Sequence, residues 1–363
     1  MKQQNDINEI RAAIDGIDRQ ILNLINQRLE YAKAIGKAKA LQGEQVLDPA
    51  RESRLIRRLS EMNRGPLSER ALHHIYTEII AASREIQSPQ KVAYLGPEAT
   101  FTHLAAINHF GRSVSFSPQP SIQDTFQEVE KGSFDFGVVP VENTIEGAVN
   151  YTLDLFYESN LKICAEIYLP ISHDLLSNAG SYDAIRIIYS HPHAFAQCRQ
   201  WLRKHLPNCM LVDCNSTAEA ARQAADEPKT AAIASREAAR IYNLEVLASR
   251  IEDRSRNITR FLVIGKNEVR ATGADKTSIL FVTAHVPGAL YKVLTPIAEA
   301  GVNLLKLESR PSKYENWSYV FFLDMEGHIS EPFVRQTLEK MKQLCLFLKY
   351  LGSYPRAAEG TQG

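Results

Sequence analysis

A heptad pattern near the N-terminus constrains the fold of this chain more than any other feature. Between residues 5 and 42, apolar residues recur at alternating spacings of three and four, which is typical of a long helix that packs against another helix. The apolar positions are Ile7, Ile10, Ile14, Ile17, Ile21, Leu24, Tyr31, Ile35 and Ala38. We call this row of residues the N-terminal seam. Arg28 occupies one of its positions, and Arg11 and Lys39 share a position on its flank.

Cations on an apolar helix face indicate an anionic ligand, because a buried and unpaired arginine is costly. A glutamate of a neighbouring helix, or water reached by a snorkelling side chain, could satisfy one such residue. At about 1.5 Å per residue, Arg11 and Arg28 lie roughly 25 Å apart along the helix, so one small ligand cannot contact both. An antiparallel partner helix could bring a second Arg11 beside Arg28. We therefore predict a homodimer whose protomers share the site.

Two shorter helices complete an all-α region over residues 1–89. Asp48 is a suitable N-cap with a proline at the first helical position, and Ser68 caps a third helix that runs to Gln87. Arg51 lies in a first turn, where its charge opposes the helix dipole and indicates a separate anionic partner. Three helices of this size enclose little core, which again favours a dimer.

Alternating strands and helices follow over residues 91–267 and predict an α/β domain with largely parallel sheets. Apolar strand runs lie at 92–95, 136–139, 185–189, 210–212 and 231–234. Helical stretches lie near 102–110, 121–131, 147–158, 192–206 and 216–226. Polar residues such as Thr100, Asn143 and Ser190 end the strands, where backbone N–H groups and hydroxyls could bind an anion. N-capping explains any one of them, but their recurrence favours a pocket.

The stretch Asn257-Ile258-Thr259-Arg260-Phe261 places a hydroxyl and a guanidinium at the start of an apolar run. Open α/β folds place their chemistry at such strand ends, although a capping Thr and a surface Arg would give the same pattern. Successive strand residues face opposite sides, so Arg260 could be structural and bound to strand-end acids. Glu142 could act as a general acid if the fold buries it, or could only organise its loop.

Residues 276–354 follow a polar linker at 271–276 and show the order βαββαβ, which is the ferredoxin-like pattern. The whole chain carries 42 basic and 42 acidic residues, so no overall field favours nucleic acid or an anionic membrane. Neither a membrane span nor a signal-peptide core is visible. Five scattered cysteines without a CxxC pair suggest reduced thiols and a cytoplasmic location. Without a nucleotide motif or metal-ligand spacing, we expect no cofactor and no metal.

The N-terminal region resembles the all-α chorismate mutase family. The residues that carry the resemblance are Arg11, Arg28, Gly36-Lys37-Ala38-Lys39, Asp48, Arg51-Glu52 and the Ser83 to Gln87 pair. The resemblance implies a dimer that rearranges chorismate to prephenate, with no nucleophile and no proton transfer. Arg11 and Arg28 would bind the substrate carboxylates, and Lys39 and Gln87 would hydrogen-bond the ether oxygen of the breaking bond. Arg51 and Ser83 would also bind substrate; Asp48 and Glu52 would contact its hydroxyls, although Asp48 could be a cap alone.

The middle region resembles prephenate dehydratase. The matching blocks are Gly96-Pro97-Glu98-Ala99-Thr100, Val139 to Thr144, Tyr189 to Pro192 with Gln197, and Thr259-Arg260-Phe261. The resemblance implies two lobes similar to periplasmic binding proteins, with the site in their cleft. Prephenate would lose carbon dioxide and water, with Thr259 polarising the leaving hydroxide. Substrate binding would fall to Thr100, Asn143, Ser190, His191 and Gln197. This chain departs from the family in having Ala99 where glycine is usual.

The C-terminal region resembles the ACT domain of phenylalanine-regulated enzymes through Gly288-Ala289-Leu290 and Leu307-Glu308-Ser309-Arg310-Pro311. The resemblance implies that phenylalanine binds between two protomers and inhibits allosterically. The binding residues would be Gly288, Ala289, Leu290, Glu308, Ser309 and Arg310. An exposed ion pair between Glu308 and Arg310 is the alternative interpretation.

The sequence thus predicts a multidomain enzyme that acts on chorismate and then prephenate, with phenylalanine as effector. Its predicted domains are 1–89, 91–267 and 276–354. We expect a homodimer, leave a tetramer of two dimers open, and expect no nucleic-acid or membrane partner. Two alternatives stay open, namely a non-catalytic amino-acid sensor and an enzyme with only one active site.

Overall fold

The computed structural model describes residues 2–42, 49–145, 147–254, 257–311 and 319–357. The chain forms two compact units, of which the first comprises Met1–Gln90 with Phe110–Ser115. The second comprises Lys91–His109 with Phe116–Gly363. The first unit is built on three helices and the second on three β-sheets.

The helical unit confirms the predicted helices. They are α1 (Lys2–Gln42), α2 (Pro49–Met62) and α3 (Glu69–Gln87). Ser68 is the N-cap of α3, where its hydroxyl accepts a hydrogen bond from the N–H of Ala71 at 3.2 Å. The predicted cap Asp48, and Gly43 after α1, lie outside the described residues.

The two halves of α1 have different surroundings within one chain. The N-terminal half carries six seam residues that are between 43% and 63% exposed, namely Ile7, Ile10, Ile14, Ile17, Ile21 and Leu24. The C-terminal half packs on α3, where Ala32 is buried and Gly36 lies against Gln87. A Cβ at Gly36 would lie 2.8 Å from Cγ and 3.0 Å from Cα of Gln87. Glycine therefore allows the two helices to approach closely at this point.

Over residues 91–265, the described part of the chain forms eleven strands and seven α-helices. The strands are β1 (Lys91–Leu95), β2 (Ser115–Gln119), β3 (Phe136–Asn143), β4 (Gly147–Ala148), β5 (Lys162–Pro170), β6 (Asp174–Leu176), β7 (Ile187–Ser190), β8 (Met210–Asp213), β9 (Thr230–Ala234), β10 (Val246–Ala248) and β11 (Ile258–Gly265). The helices are α4 (Phe101–Phe110), α5 (Ile122–Lys131), α6 (Asn150–Glu158), α7 (Pro192–Gln197), α8 (Arg199–His205), α9 (Thr217–Asp226) and α10 (Arg236–Tyr242). The predicted helix over 192–206 is thus two helices that meet at Cys198.

These strands form two sheets, and each sheet is the centre of one lobe. The first has the order β2-β1-β3-β11-β5 with β4 beside β3, and the second has the order β10-β6-β9-β7-β8. The prediction of largely parallel sheets is wrong. The pairs β1–β3, β7–β8 and β7–β9 are parallel, whereas β11 runs antiparallel to β3 and β5, and β6 runs antiparallel to β9 and β10. After the second lobe the chain returns to the first sheet, and β11 enters it in the opposite direction.

The C-terminal part of the second unit confirms the predicted βαββαβ order. Its elements are β12 (Asp275–Val282), α11 (Ala289–Glu299), β13 (Leu304–Pro311), β14 (Tyr319–Glu326), α12 (Pro332–Leu344) and β15 (Phe347–Pro355). The four strands form an antiparallel sheet in the order β13-β14-β12-β15.

This sheet is buried on both faces. On one face, Phe281 of β12 packs with Val293 of α11 and Met341 of α12. On the other face, Leu280 and Phe322 share a core with residues of the first lobe. The C-terminal sheet is therefore packed against the lobe that contains β3 and β11.

Candidate functional sites

A cavity of about 630 Å³ lies among the three helices of the first unit. Six of the predicted mutase residues line it, namely Arg28, Lys39, Arg51, Glu52, Ser83 and Gln87. Arg54 and Arg58 of α2 line it too, although the sequence analysis did not select them. They follow Arg51 at helical spacing, so the signal that could have identified them is a basic stripe along one face of α2. Arg11 is not among the lining residues, because it lies on the N-terminal half of α1.

Arg28 reaches across this cavity from α1 to α3. Its Nη1 donates to the hydroxyl of Ser83 in a short contact and to the carbonyl of Ile79 at 3.4 Å. Burial lowers the pKa of the Arg28 guanidinium, and the positive charge of Arg51 lowers it further. Both effects disfavour the bare cation, so a bound anion would stabilise this arrangement.

Residues of α2 and α3 fix the opposite wall of the cavity. Glu52 forms an ion pair with Arg84 at 3.3 Å, and the Arg84 side chain is only 3% exposed. The Nε2 of Gln87 donates to the carbonyl of Ser83 at 2.9 Å. This bond holds the Gln87 side chain against its own helix in the cavity wall.

The predicted dehydratase residues lie where β3 and β11 end beside each other. Asn143 is paired with Thr259 and Glu142 with Arg260 in the antiparallel register. The next residue of β11, Phe261, faces Pro140, so β3 carries one extra residue at this point. Such a bulge re-aims the side chains beside it and is frequent next to active sites.

A chain of polar side chains starts at Thr259 and crosses from the first lobe to the second. Asn143 donates from Nδ2 to Oγ1 of Thr259 at 2.8 Å and to Oδ1 of Asn257 at 2.8 Å. Asn257 donates to Oε1 of Gln197 at 2.8 Å, and the same oxygen lies 3.0 Å from Nε2 of His173. The Asn143 amide is oriented by the N–H of Ile145, which donates to Oδ1 at 2.8 Å. We call Thr259, Asn143, Asn257, Gln197 and His173 the polar chain.

Sequence reasoning did not select two members of the polar chain. Asn257 lies two positions before Thr259, and the period of a strand could have indicated that both side chains point the same way. His173 follows β5 with no local pattern around it, and only the folded arrangement brings it to Gln197.

The remaining predicted dehydratase residues lie at strand-to-helix turns. The Thr100 hydroxyl donates to the carbonyl of Pro97 at 3.0 Å, directly after Ala99, whose φ is +69°. That left-handed conformation explains why glycine suits position 99. Ser190 is fully buried and donates to the carbonyl of Ile233 at 2.8 Å. His191 is the N-cap of α7.

Arg260 points away from Thr259 into a cluster of buried charges. It is 2% exposed and forms ion pairs with Glu166 at 2.9 Å and Asp324 at 2.8 Å. Lys276 also binds Glu166, at 2.8 Å, and Tyr354 accepts from Arg260 at 3.0 Å. Burial alone lowers the pKa of Arg260, but Tyr354, Asp324 and Glu166 reverse this effect and raise the pKa above its usual value. We call Arg260, Glu166, Lys276 and Asp324 the buried ion cluster.

The partners of Arg260 are therefore not the strand-end acids that the sequence suggested. Glu142 instead forms an ion pair of 2.6 Å with Lys306 of β13, and the Glu142 side chain is 38% exposed. The burial that a general acid would require at Glu142 is not present.

A second cavity, of about 460 Å³, lies at the start of α11. The loop from Thr283 to Tyr291 lines it together with Tyr319 and Phe321, so it includes the predicted residues Gly288, Ala289 and Leu290. Gly288 has a φ of +78°, a left-handed conformation that favours glycine at this cap.

The other three predicted effector residues, Glu308, Ser309 and Arg310, lie on β13 and do not line this cavity in one chain. Arg310 forms an ion pair with Asp154 and donates to the carbonyl of Asn150. The ionic partner of Arg310 is therefore an acid of α6, whereas the alternative interpretation named Glu308.

Within the described ranges, no group of three or more His, Cys, Asp or Glu side chains is placed to hold a metal ion. Among the described helices, none combines the length and the apolar character needed to cross a membrane.

Comparison with known families divides the chain into three matched segments. Residues 10–88 match chorismate mutase type II, residues 92–269 match prephenate dehydratase and residues 277–343 match the ACT domain. A bifunctional chorismate mutase/prephenate dehydratase of Aquifex aeolicus (strain VF5) is 48% identical over 356 residues, covering 97% of this chain and 98% of the relative. One from Stutzerimonas stutzeri is 42% identical over 363 residues, covering 98% of this chain and 100% of the relative.

A solved structure is also similar to this chain. The crystal structure of prephenate dehydratase in complex with L-Phe from Arthrobacter aurescens is 34% identical, with a TM-score of 0.68. The match covers 74% of this chain and 90% of that chain.

Proposed function

The chain belongs to the family of bifunctional chorismate mutase/prephenate dehydratases, and on this basis we propose how its residues divide the two reactions. The enzyme converts chorismate to prephenate and prephenate to phenylpyruvate, and phenylalanine regulates it through the ACT domain. We infer domains at 1–89, 91–267 and 276–354, and a cytoplasmic location in keeping with the scattered cysteines.

The helical cavity is the mutase site in this proposal. The observation that carries the assignment is the convergence of Arg28, Lys39 and Arg51 with the Gln87 amide around one cavity of about 630 Å³. Chorismate carries two carboxylates, and its rearrangement moves negative charge onto the ether oxygen as the C–O bond breaks. Fixed cations bind the carboxylates and hold the reactive conformation, while Lys39 and Gln87 stabilise the developing charge. No bond to the protein forms, so the site requires no nucleophile.

We infer that the second carboxylate is bound by Arg11 of a partner protomer. The exposed half of α1, with Ile7 to Leu24 between 43% and 63% exposed, supports this proposal. An apolar row of this length is rarely left in contact with water, and an antiparallel copy would cover it. The same pairing would bring the partner's Arg11 toward Arg28. A homodimer, alone or as half of a tetramer, follows from this arrangement.

The polar chain is the dehydratase site in this proposal, and the hydrogen bond between Asn143 and Thr259 carries the assignment. Since Asn143 donates to Oγ1, the Thr259 hydroxyl oxygen acts as the acceptor and its own O–H can donate to the substrate. Prephenate loses its ring carboxylate as carbon dioxide, and the electron pair of that C–C bond expels the ring hydroxyl. The departing hydroxide takes up one proton and leaves as water. Thr259 polarises this leaving group, while the polar chain orients the hydroxyl.

Asn257 and His173 extend this site beyond the predicted set. Both contact Gln197, so the polar chain holds residues of both lobes at fixed distances. Thr100, Ser190 and His191 remain proposed substrate ligands at strand-to-helix turns, where N–H groups favour carboxylates. Asp48 remains a proposed ligand of the mutase site.

The cavity at the start of α11 is the proposed phenylalanine site. Gly288, Ala289 and Leu290 line it within one chain. Glu308, Ser309 and Arg310 would complete it from β13 of a second protomer, which agrees with their absence from the cavity in one chain.

Incubation of the purified protein with chorismate tests the whole proposal. Chorismate loss, prephenate and phenylpyruvate are followed separately, with and without phenylalanine. Phenylpyruvate formation that falls on addition of phenylalanine is expected. Accumulation of prephenate would contradict the dehydratase assignment, and unchanged chorismate with retained phenylalanine binding would favour a non-catalytic sensor.

A further inference from the structure

The ends of β3 and β11 present two different faces. Asn143 and Thr259 form one cross-strand pair, and Glu142 and Arg260 form the adjacent pair. Because neighbouring strand residues point to opposite sides, the first pair faces the proposed dehydratase site and the second faces away from it. A displacement of Glu142 or Arg260 therefore also moves the backbone of its neighbour in the first pair, Asn143 or Thr259.

The C-terminal sheet binds both residues of the second pair. Lys306 of β13 contacts Glu142 at 2.6 Å, and Asp324 of β14 contacts Arg260 at 2.8 Å. Lys306 and Asp324 are themselves opposite each other in the sheet. Two adjacent residues of the C-terminal sheet therefore hold two adjacent residues behind the polar chain.

The two contacts differ in how easily they can change. Arg260 and Asp324 are 2% and 0% exposed, and Glu166 and Lys276 surround them. A fully buried pair of this kind is costly to break. Lys306 and Glu142 are 15% and 38% exposed, so water reaches this ion pair. The Lys306 contact can therefore rearrange at low cost, while the Arg260 contact acts as a fixed support.

The strand β13 also carries three of the six proposed effector residues, Glu308, Ser309 and Arg310. Lys306, Glu308 and Arg310 share one side of the strand by its two-residue period. Arg310 is tied to Asp154 and to the Asn150 carbonyl of α6. A ligand that contacts Glu308 or Ser309 thus binds between Lys306 and Arg310. Both of these cations contact the dehydratase domain.

We propose that Lys306 is a positioning residue for the dehydratase reaction, through which phenylalanine binding on β13 displaces Glu142 and with it Asn143 and Thr259. This inference rests on the proposed function of the polar chain and of the effector cavity. The shift in β13 loosens the contact between Lys306 and Glu142, the end of β3 moves at its bulge, and the Thr259 hydroxyl loses its orientation. The coupling is reciprocal, because prephenate binding and phenylalanine binding favour opposite positions of the same strand.

The test compares full-length wild type with Lys306→Met and Lys306→Arg. For each protein, kcat and KM for prephenate are measured with no phenylalanine and with saturating phenylalanine. Phenylalanine binding is measured separately by calorimetry. Lys340→Met is the matched control, because Lys340 lies in the same domain, is 63% exposed and pairs with Glu299 on another helix of that domain.

The expected result is a change in coupling without a loss of binding. Wild type and Lys340→Met should show a kcat/KM that falls by about 5-fold or more with phenylalanine. In Lys306→Met, kcat/KM with phenylalanine should lie within about twofold of kcat/KM without it, while calorimetry still shows phenylalanine binding. Lys306→Arg should recover most of the response to phenylalanine.

Three results would overturn the inference. They are a wild-type response in Lys306→Met, loss of response in both Lys306 variants, and loss of phenylalanine binding in Lys306→Met. Wild-type protein without dehydratase turnover, or without any response to phenylalanine, would instead refute the proposed function.

Discussion

Asn143 donates a hydrogen bond of 2.8 Å to the hydroxyl of Thr259, although 116 residues separate the two in the chain. The N–H of Ile145 fixes the orientation of the Asn143 amide, so the direction of this bond is set by the backbone. Because its oxygen accepts this bond, the Thr259 hydroxyl can donate its own proton to another group.

Asn143→Asp removes the donor and leaves an isosteric group that would accept the Thr259 proton. Dehydratase turnover should fall by about 10²-fold or more, because the hydroxyl then points to the carboxylate and no longer to the substrate. Mutase turnover in the same preparation is the internal control and should be unchanged. Dehydratase turnover within about threefold of wild type would show that this bond has no part in the reaction.

Mixed dimers test whether the mutase site is shared. Arg11→Ala and Arg28→Ala should each abolish mutase turnover as homodimers. When the two variants are unfolded together and refolded, about half of the dimers are mixed, and one of the two sites in each mixed dimer is intact. Mutase turnover should therefore recover to about a quarter of wild type. No recovery, with mixed dimers demonstrated by mass spectrometry, would mean that each site is built from one chain.

Two glycines of α1 give a matched test of helix packing. Alanine at Gly36 would place its Cβ 3.0 Å from Cα of Gln87, whereas a Cβ at Gly16 meets nothing within 4 Å in one chain. Gly16→Ala should stabilise the helix by up to about 1 kcal/mol. Gly36→Ala should displace Gln87 and lower mutase turnover by about tenfold or more. Equal mutase turnover in the two variants would contradict the close approach of α1 and α3.

Much of the fold could be predicted because its signals are local. The long N-terminal helix, the Ser68 cap and the βαββαβ order each depend on residues close in sequence, and all three are confirmed. The direction of β11 could not be predicted, because its neighbours β3 and β5 precede a whole second lobe. Strand period indicates which side of a strand is buried but not which strand lies beside it.

In the candidate sites too, residues with a local sequence signal could be predicted and their long-range partners could not. The helix positions of Arg28, Lys39 and Arg51 indicate an anion site, the resemblance to chorismate mutases adds Gln87, and the structure brings all four around one cavity. Alternation along β11 predicted that Arg260 points away from Thr259, but its partners Glu166 and Asp324 come from other strands. His173 carried no local signal.

Replacing Arg260 should lower the free energy of unfolding more than replacing Arg356, although both residues form ion pairs. Arg260→Met leaves Glu166 and Asp324 buried without their arginine, and should destabilise the second unit by about 3–5 kcal/mol. Arg356 pairs with Glu326 at 2.7 Å, and both side chains are 41% exposed. Arg356→Met should therefore cost about 1 kcal/mol or less. Urea unfolding of the two variants makes the comparison, and similar losses in both would contradict the structural role of the buried ion cluster.

The division of labour between the two sites is the central claim, and one pair of variants tests it most directly. Thr259→Val and Lys39→Met are assayed with chorismate and with prephenate in parallel. Thr259→Val should lose dehydratase turnover by about 10²-fold or more and keep mutase turnover, and Lys39→Met should do the reverse. Loss of both turnovers in either folded variant would contradict two independent active sites in one chain.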